Sequence, residues 1–345
     1  MPTLMLLGNC VAQRLERLVE ACAPAAGKGA GDGAPGHGWR VLRAMPVYQL
    51  VTGPAPDEAL AAQAARAARC DLVFSQPLFR FGPCNTEELR ARLGDRLKLF
   101  AAPNFEAYFP DVLDMGAPRE PARVTPPLDW HSRVIVQCRA AGIPPEEVGA
   151  VYPAHPCFRE KAVAAALERT WRTYERREQG LDIGTLAVAR RWYRREPLFH
   201  TWTHPAERLM AVLLDGILAQ LGMTASARGA CLRRVGWNGG PLDAGDEAGE
   251  RKEGGAAVSA VPASAAEGAD DGGAGPSWGF GFNSWPIITR QHRLFDFPGR
   301  EWFRVAGARV DIATMALAWY TWYDLHPRTY AAALDAARAR LEQGR

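Results

Sequence analysis

The chain has 345 residues, of which 48% are hydrophobic and 23% charged, with a formal net charge of +3. That is ample apolar material for one large core or two modest ones. It is too little charge, with no dense basic stripe, to suggest nucleic acid as a partner. The seven cysteines (Cys10, Cys22, Cys70, Cys84, Cys138, Cys157 and Cys231) form no CxxC pair. Their scatter argues against a metal site or a thioredoxin motif and for reduced thiols in a cytoplasmic protein. No run approaches the ~20 apolar residues of a membrane span. The first apolar run ends at Leu7 with no charged segment before it, so no signal peptide is expected. A peripheral place at the inner membrane stays compatible with this reading.

In chain order, Leu4–Leu7 is a buried strand, and Val11, Leu15, Leu18, Val19 and Cys22 continue at helical spacing. The Gly- and Ala-rich stretch from Ala23 to Gly38 is a loop. A second strand lies within Trp39–Leu50 and ends near Pro46. A helix over Asp57–Arg69 is followed by the strand Asp71–Ser75, a helix over Glu87–Leu93 capped by Thr86, and the strand Leu97–Ala102, stopped by Pro103-Asn104. This rhythm predicts an α/β fold with a parallel, doubly wound (flavodoxin-like) sheet. After Tyr108 the patterns become helical, over Phe158–Gln179, Asp182–Arg195, Pro205–Leu221, about Asp311–Tyr323 and Arg328–Glu342. Residues 238–276 are rich in Gly, Ala, Ser, Asp and Glu and are expected to be a disordered insertion. The whole reads as a single α/β domain, with a sheet-forming part (1–110), a mainly helical part (111–237), the insertion, and a C-terminal helical part (277–345).

In such a sheet, ligands bind beyond the carboxyl ends of the strands. Cys10 stands there, in the first turn of the first helix, where unpaired N–H groups and the helix dipole favour a thiolate. Gly8 would let a substrate carbonyl approach the backbone, and Asn9 would cap the helix or donate to an oxyanion. Gln76 and Asn104 end the next two strands at the same edge and can form an oxyanion hole or hold substrate; each can equally be a simple turn cap. His204 precedes Pro205 at the expected start of a helix. At that N-cap the dipole would keep the imidazole neutral, as a general base must be. His200, in the apolar run Leu198-Phe199, reads as a core or rim histidine. His155-Pro156 is another such junction that can reach the cleft, and His326-Pro327 reads as a cap for the last helix. The segment WYTWYDLHP at 319–327 reads as core.

Four blocks carry a resemblance: LGNC at the first strand, SQPL at 75–78, PNFEAYFPD at 103–111 and LFHTWTHP at 198–205, with LDIGTLA shortly before the last. In order and spacing they resemble the WcbI-type polysaccharide biosynthesis putative acetyltransferase family, over roughly residues 3–225, with a weaker trace in WPIITRQH at 285–292. The family is distantly similar to the GDSL/SGNH hydrolases. The resemblance implies an enzyme of capsule or exopolysaccharide assembly that binds coenzyme A and moves an acetyl group to a sugar hydroxyl. It uses Cys10 as nucleophile and His204 as base, without a metal. Acetyl-CoA and a sugar or polysaccharide acceptor are the implied partners, with capsule assembly proteins as further ones.

Arg14, one turn after Cys10, and Arg80, after SQPL, are the candidates for the CoA phosphates. Arg159, Lys161, Arg290, His292 and Arg293 are weaker ones. Tyr108 and Trp202 are candidates to stack on adenine or sugar, and Phe105 is expected in the core. In SGNH enzymes an aspartate lies three residues before the histidine; here Thr201 stands there. The group orienting His204 is therefore left to Asp111, Asp129 or a backbone carbonyl. Val11 and Thr203 also depart from the family pattern. The same constellation would serve a thioesterase or sugar deacetylase, or a non-catalytic CoA- or glycan-binding protein of a capsule assembly complex.

Overall fold

The computed structural model describes residues 1–23, 38–113, 127–128, 130–239, 242, 284–289, 294–305 and 308–343. Except for residues 238, 239 and 242, the 238–276 insertion lies outside these, as do most of the expected 23–38 loop, Asp129, Arg290, His292 and Arg293.

The first strand, β1 (Thr3–Leu7), runs into α1 (Cys10–Cys22). Short β2 (Arg40–Val41) is followed by α2 (Val47–Thr52) and α3 (Pro56–Ala67). Then come β3 (Leu72–Ser75), α4 (Thr86–Leu93) and β4 (Leu97–Leu99). The four strands form a parallel sheet in the order β2-β1-β3-β4. Alternation along β1 decides the layers. Leu4 and Leu6 pack with α1 and the later helices α9 (Glu207–Gln220) and α10 (Ala225–Arg234), whereas Met5 and Leu7 pack with α2, α3 and α4. Helices therefore cover both faces, and the strand order reverses between β1 and β3. That reversal is the switch point at which an open parallel sheet leaves a crevice.

The remaining elements build a second core. They are β5 (Val112–Leu113), β6 (His131–Ser132), α5 (Arg133–Ala140), α6 (Pro145–Val151), α7 (Glu160–Glu178), α8 (Leu186–Trp192), β7 (Phe199–Thr201), β8 (His204–Pro205), β9 (Trp302–Val305), β10 (Ala308–Asp311), α11 (Ile312–Leu325) and α12 (Pro327–Gln343). Aromatic side chains dominate it, with Trp285, Trp319, Tyr108, Tyr152, Tyr174 and Tyr323 all fully buried. The 319–327 segment is core, as expected, and His326 stacks on Trp322 with its Nδ1 at 2.8 Å from the Trp322 carbonyl. Asp111 pins this half together from within. Its carboxylate accepts hydrogen bonds from Ser132 Oγ at 2.7 Å, from Trp285 Nε1 at 3.2 Å and from the Tyr152 hydroxyl. The two halves meet along α9, and the backbone of Asp182 and Ile183 bonds to Leu99 at the free edge of β4. Gly216 makes this approach possible: a Cβ there would lie 2.4 Å from Ile183 Cγ2.

Several local expectations are corrected. The expected second strand shrinks to β2, and Val47–Thr52 is a helix. Thr86 begins α4 rather than capping it; its hydroxyl accepts from the Leu78 N–H at 2.7 Å and ties down the loop after β3. The helix expected over Asp182–Arg195 is only α8, because residues 182–183 extend beside β4.

Candidate functional site

The Gly8-Asn9-Cys10 joint folds as it does because β1 ends at the switch point and α1 begins at once. Asn9 is the N-cap, its Oδ1 accepting from the Val11 N–H at 3.0 Å, so Cys10 is the first helical residue. The adjacent strand end completes the turn: Gln76 Oε1 accepts from the Asn9 N–H at 2.8 Å. Gly8 serves that contact, since a Cβ at residue 8 would lie 2.2 Å from Gln76 Oε1. The space expected for a substrate carbonyl at Gly8 is thus filled by Gln76. The Gln76 side chain is 2% exposed. With its oxygen committed to Asn9, its Nε2 is buried without a hydrogen-bond partner among the described residues. A buried amide donor beside the first turn of α1 is a strong candidate for receiving an oxyanion.

His204 arrives from the other core. It is not an N-cap. Phe199 pairs with Pro205 and Thr201 with His204, and the Ala206 N–H donates to the Leu198 carbonyl at 2.8 Å. This hairpin draws Pro205 into a strand and delays the helix to Glu207, with Ala206 as its cap. Trp202 and Thr203 form the turn, which docks on the loop after β4 through the Phe105 N–H and the Trp202 carbonyl at 2.9 Å. The docking brings His204 Nε2 to 3.0 Å from Cys10 Sγ, across 194 residues of sequence. Thr201 Oγ1 lies 2.8 Å from the other ring nitrogen, Nδ1. Thr201 is 1% exposed and is the residue three before His204 that the sequence pattern singles out in place of an expected aspartate. Asp111 does not serve: its oxygens are engaged with Ser132, Tyr152 and Trp285. Burial, assisted by the nearby His200, lowers the His204 pKa to about 4. The imidazole is therefore neutral at pH 7, through desolvation rather than through a helix dipole.

Other candidates divide. Asn104 is half-buried and its side chain makes no hydrogen bond among the described residues. Trp202 is half-buried at the turn. Arg14 is half-buried on α1, and Arg80 is exposed with a left-handed φ of 66°. Tyr108 is placed in the core, not the cleft: its hydroxyl donates to the Tyr193 carbonyl at 2.6 Å, and its ring packs against Phe105 and Phe295. Phe105 is core, as expected. His200 is a rim histidine, with Nε2 at 3.3 Å from Glu207 Oε1. His155 turns to Cys157 and Gln137 instead of to the cleft. Trp130 was not anticipated; its ring meets the His204 ring edge-on at 5.6 Å. No pattern around residue 130 would have revealed it, because only the tertiary fold brings it to residue 204. Among the described residues, no group of three or more His, Cys, Asp or Glu side chains could hold a metal ion, and no helix is long and apolar enough to cross a membrane.

Comparisons with known proteins bear on the fold and the family. A solved structure described as WcbI, a novel polysaccharide biosynthesis enzyme, in a native form without a disulfide bond between CoA and one of its cysteines, superposes with a TM-score of 0.63. The match covers 99% of both chains at 16% identity, so it speaks for the fold. No curated protein matches the sequence. The family model for the polysaccharide biosynthesis enzyme WcbI matches residues 3–226, a span that includes Cys10, Gln76, Thr201 and His204. On that match the chain belongs to the WcbI family of polysaccharide biosynthesis enzymes.

Proposed function

We propose that the protein is an acyltransferase that moves an acetyl group from acetyl-CoA to a sugar hydroxyl in capsule or exopolysaccharide assembly. The 3.0 Å contact between Cys10 Sγ and His204 Nε2 carries this reading. In the first half-reaction, Sγ attacks the acetyl carbonyl carbon while its proton passes to Nε2. The C–S bond to CoA then breaks and the CoA sulfur takes that proton, leaving acetyl-Cys10 and free CoA. In the second, a sugar hydroxyl gives its proton to Nε2 and its oxygen attacks the acetyl-enzyme. Cys10 Sγ leaves and recovers the proton. Thr201 Oγ1 accepts a hydrogen bond from Nδ1–H, which presents the Nε2 lone pair to the sulfur. A neutral partner, together with burial, keeps His204 a weak base and its protonated form a strong acid, suited to returning the proton to each leaving sulfur. Gln76 Nε2 is the donor for the tetrahedral oxyanion.

The test is incubation with radiolabelled acetyl-CoA, with and without a polysaccharide acceptor. The expected result is a labelled Cys10 thioester that is discharged only by acceptor. Discharge by water alone would instead make the protein a thioesterase. CoA binding with no label and no CoA release would make it a binding protein. Label lost in Cys10→Ala while turnover persists would replace the covalent route by direct transfer with His204 as base.

A further inference from the structure

Strand β9 pairs with β10 in an antiparallel hairpin whose inner side buries Phe303. Arg300, Trp302 and Arg304 alternate onto the opposite side, and Arg309 stands directly across from Arg304. All three guanidinium carbons lie within 6 Å of the Trp302 ring centre, at 5.6 Å for Arg300, 5.9 Å for Arg304 and 5.1 Å for Arg309. Asp311, across from Trp302, is committed to Thr314 as the N-cap of α11. Concentrating like charges across a strand pair opposes folding unless something compensates them.

The polar atoms are unusual as well. Arg300 Nε and Nη2 and Arg304 Nε are buried, and among the described residues they have no hydrogen-bond partner. Buried guanidinium donors in a folded protein ordinarily meet an acceptor. The hairpin is also close to the chemistry. Arg300 pairs its backbone with Ile287, and two residues earlier the Trp285 N–H donates to the His200 carbonyl at 2.9 Å. The His200 ring acts electrostatically on His204 and pairs with Glu207, and Glu207 in turn acts on Arg300. Burial lowers the Arg300 pKa to about 10, opposed by Glu207, so the guanidinium remains charged at neutral pH.

We propose that Arg300 and Arg304 form an anion subsite next to the Cys10–His204 pair, which takes a phosphate or carboxylate group of a substrate. The planar fork of Arg300 suits bidentate binding of either group. Assigning the anion to a substrate rests on the acyltransfer reading; the existence of the subsite does not. Two sources share this chemistry: the phosphates of CoA and the carboxylate of an acidic sugar acceptor.

Titration calorimetry on the full chain separates them, with CoA, pantetheine and sodium glucuronate as probes and Arg300→Gln, Arg300→Lys and Arg304→Gln as variants. Arg300→Gln is expected to weaken CoA or glucuronate at least tenfold, and Arg300→Lys by less. Loss for CoA with pantetheine unchanged assigns the subsite to the donor's phosphates. Loss for glucuronate with CoA unchanged assigns it to the acceptor. If Arg300→Gln does not fold, Arg304→Gln is read in its place, with at least a threefold loss expected. Wild-type affinities for both CoA and glucuronate in a folded Arg300→Gln or Arg304→Gln variant would overturn the proposal, as would a wild-type chain that binds neither probe. Cys10→Ala retains both arginines. Arg300-dependent binding should therefore survive in Cys10→Ala, and such binding in a wild-type chain that transfers no acetyl group to any acceptor would leave the subsite standing and remove only the acyltransfer reading.

Discussion

Among the described residues, two cysteine–histidine contacts have the same length. Cys10 and His204 are 3.0 Å apart and so are Cys157 and His155, and burial holds both imidazoles at about 4. Distance and pKa therefore do not tell the two contacts apart. Surroundings do. Cys157 is 5% exposed beside Asp111, and burial, followed by that carboxylate, pushes its thiol well above the ordinary range. The second ring nitrogen of His155 is taken by Gln137 Oε1 at 2.8 Å, and His155 and Cys157 belong to one tight turn. Cys10 is only partly buried, begins a 13-residue helix at the sheet's switch point, and follows Asn9, whose N–H binds Gln76, a side chain whose Nε2 has no hydrogen-bond partner among the described residues. A reactive pair needs access, an anion-favouring backbone and a donor for developing charge, and only the first contact combines them.

The sharpest way to break this comparison is to remove each sulfur in turn. Cys10→Ala should lower acetyl transfer by about 10³-fold, whereas Cys157→Ala should leave the rate within about threefold and cost roughly 1 kcal/mol of stability. Steady-state rates and urea melts measure both, and equal losses of activity would end the distinction. Exchanging the bases follows: His204→Gln should cost about 10²-fold in kcat, while His155→Gln should act on stability alone. Native iodoacetamide labelling followed by peptide mapping should modify Cys10 and spare Cys157 until denaturant is added.

Smaller effects refine the orientation of His204. Thr201→Val should lower kcat by about tenfold, because Nδ1 loses its partner at 2.8 Å. Thr201→Asp should raise the His204 pKa and move the acid limb of the pH–rate profile upward. In the native chain that limb should lie near pH 4, well below the ordinary histidine value. The same groups set the acid stability. His131, His155 and His204 are each lowered by burial to about 4, so below pH 6.5 the unfolded chain binds protons that the folded chain does not. Their contribution is complete above pH 6.5 and is lost as the pH falls to 4. The loss should be on the order of 1–3 kcal/mol per histidine, read as a falling Tm across that window.

Much of the first half was legible because its signals are local. Leu4–Leu7, the helical spacing from Val11 to Cys22 and the strand Asp71–Ser75 show their period and their stops in the sequence itself, and Cys10 follows from where β1 ends. His204 was legible as a residue but not as a conformation. The turn Trp202-Thr203 carries no Gly, Asn or Asp to announce a hairpin, and the Pro205 that suggested a helix start lies in a strand. Thr201 was visible as a departure from an aspartate, yet its hydrogen bond exists only because the hairpin forms. Trp130 and the Arg300–Arg304 face left no trace of their positions in the sequence, since each is brought into place by contacts between segments that are remote along the chain.

By itself, then, the sequence determined the parallel α/β layer, its helix periods and the thiol at the mouth of the first strand, because periodicity, capping and turn chemistry act over a few residues. Only the tertiary structure decided how His204 is carried to that thiol, which hydroxyl lies against its other ring nitrogen, and which of two equal cysteine–histidine contacts stays accessible. Those outcomes depend on burial and on the docking of one core against another, which no local pattern encodes.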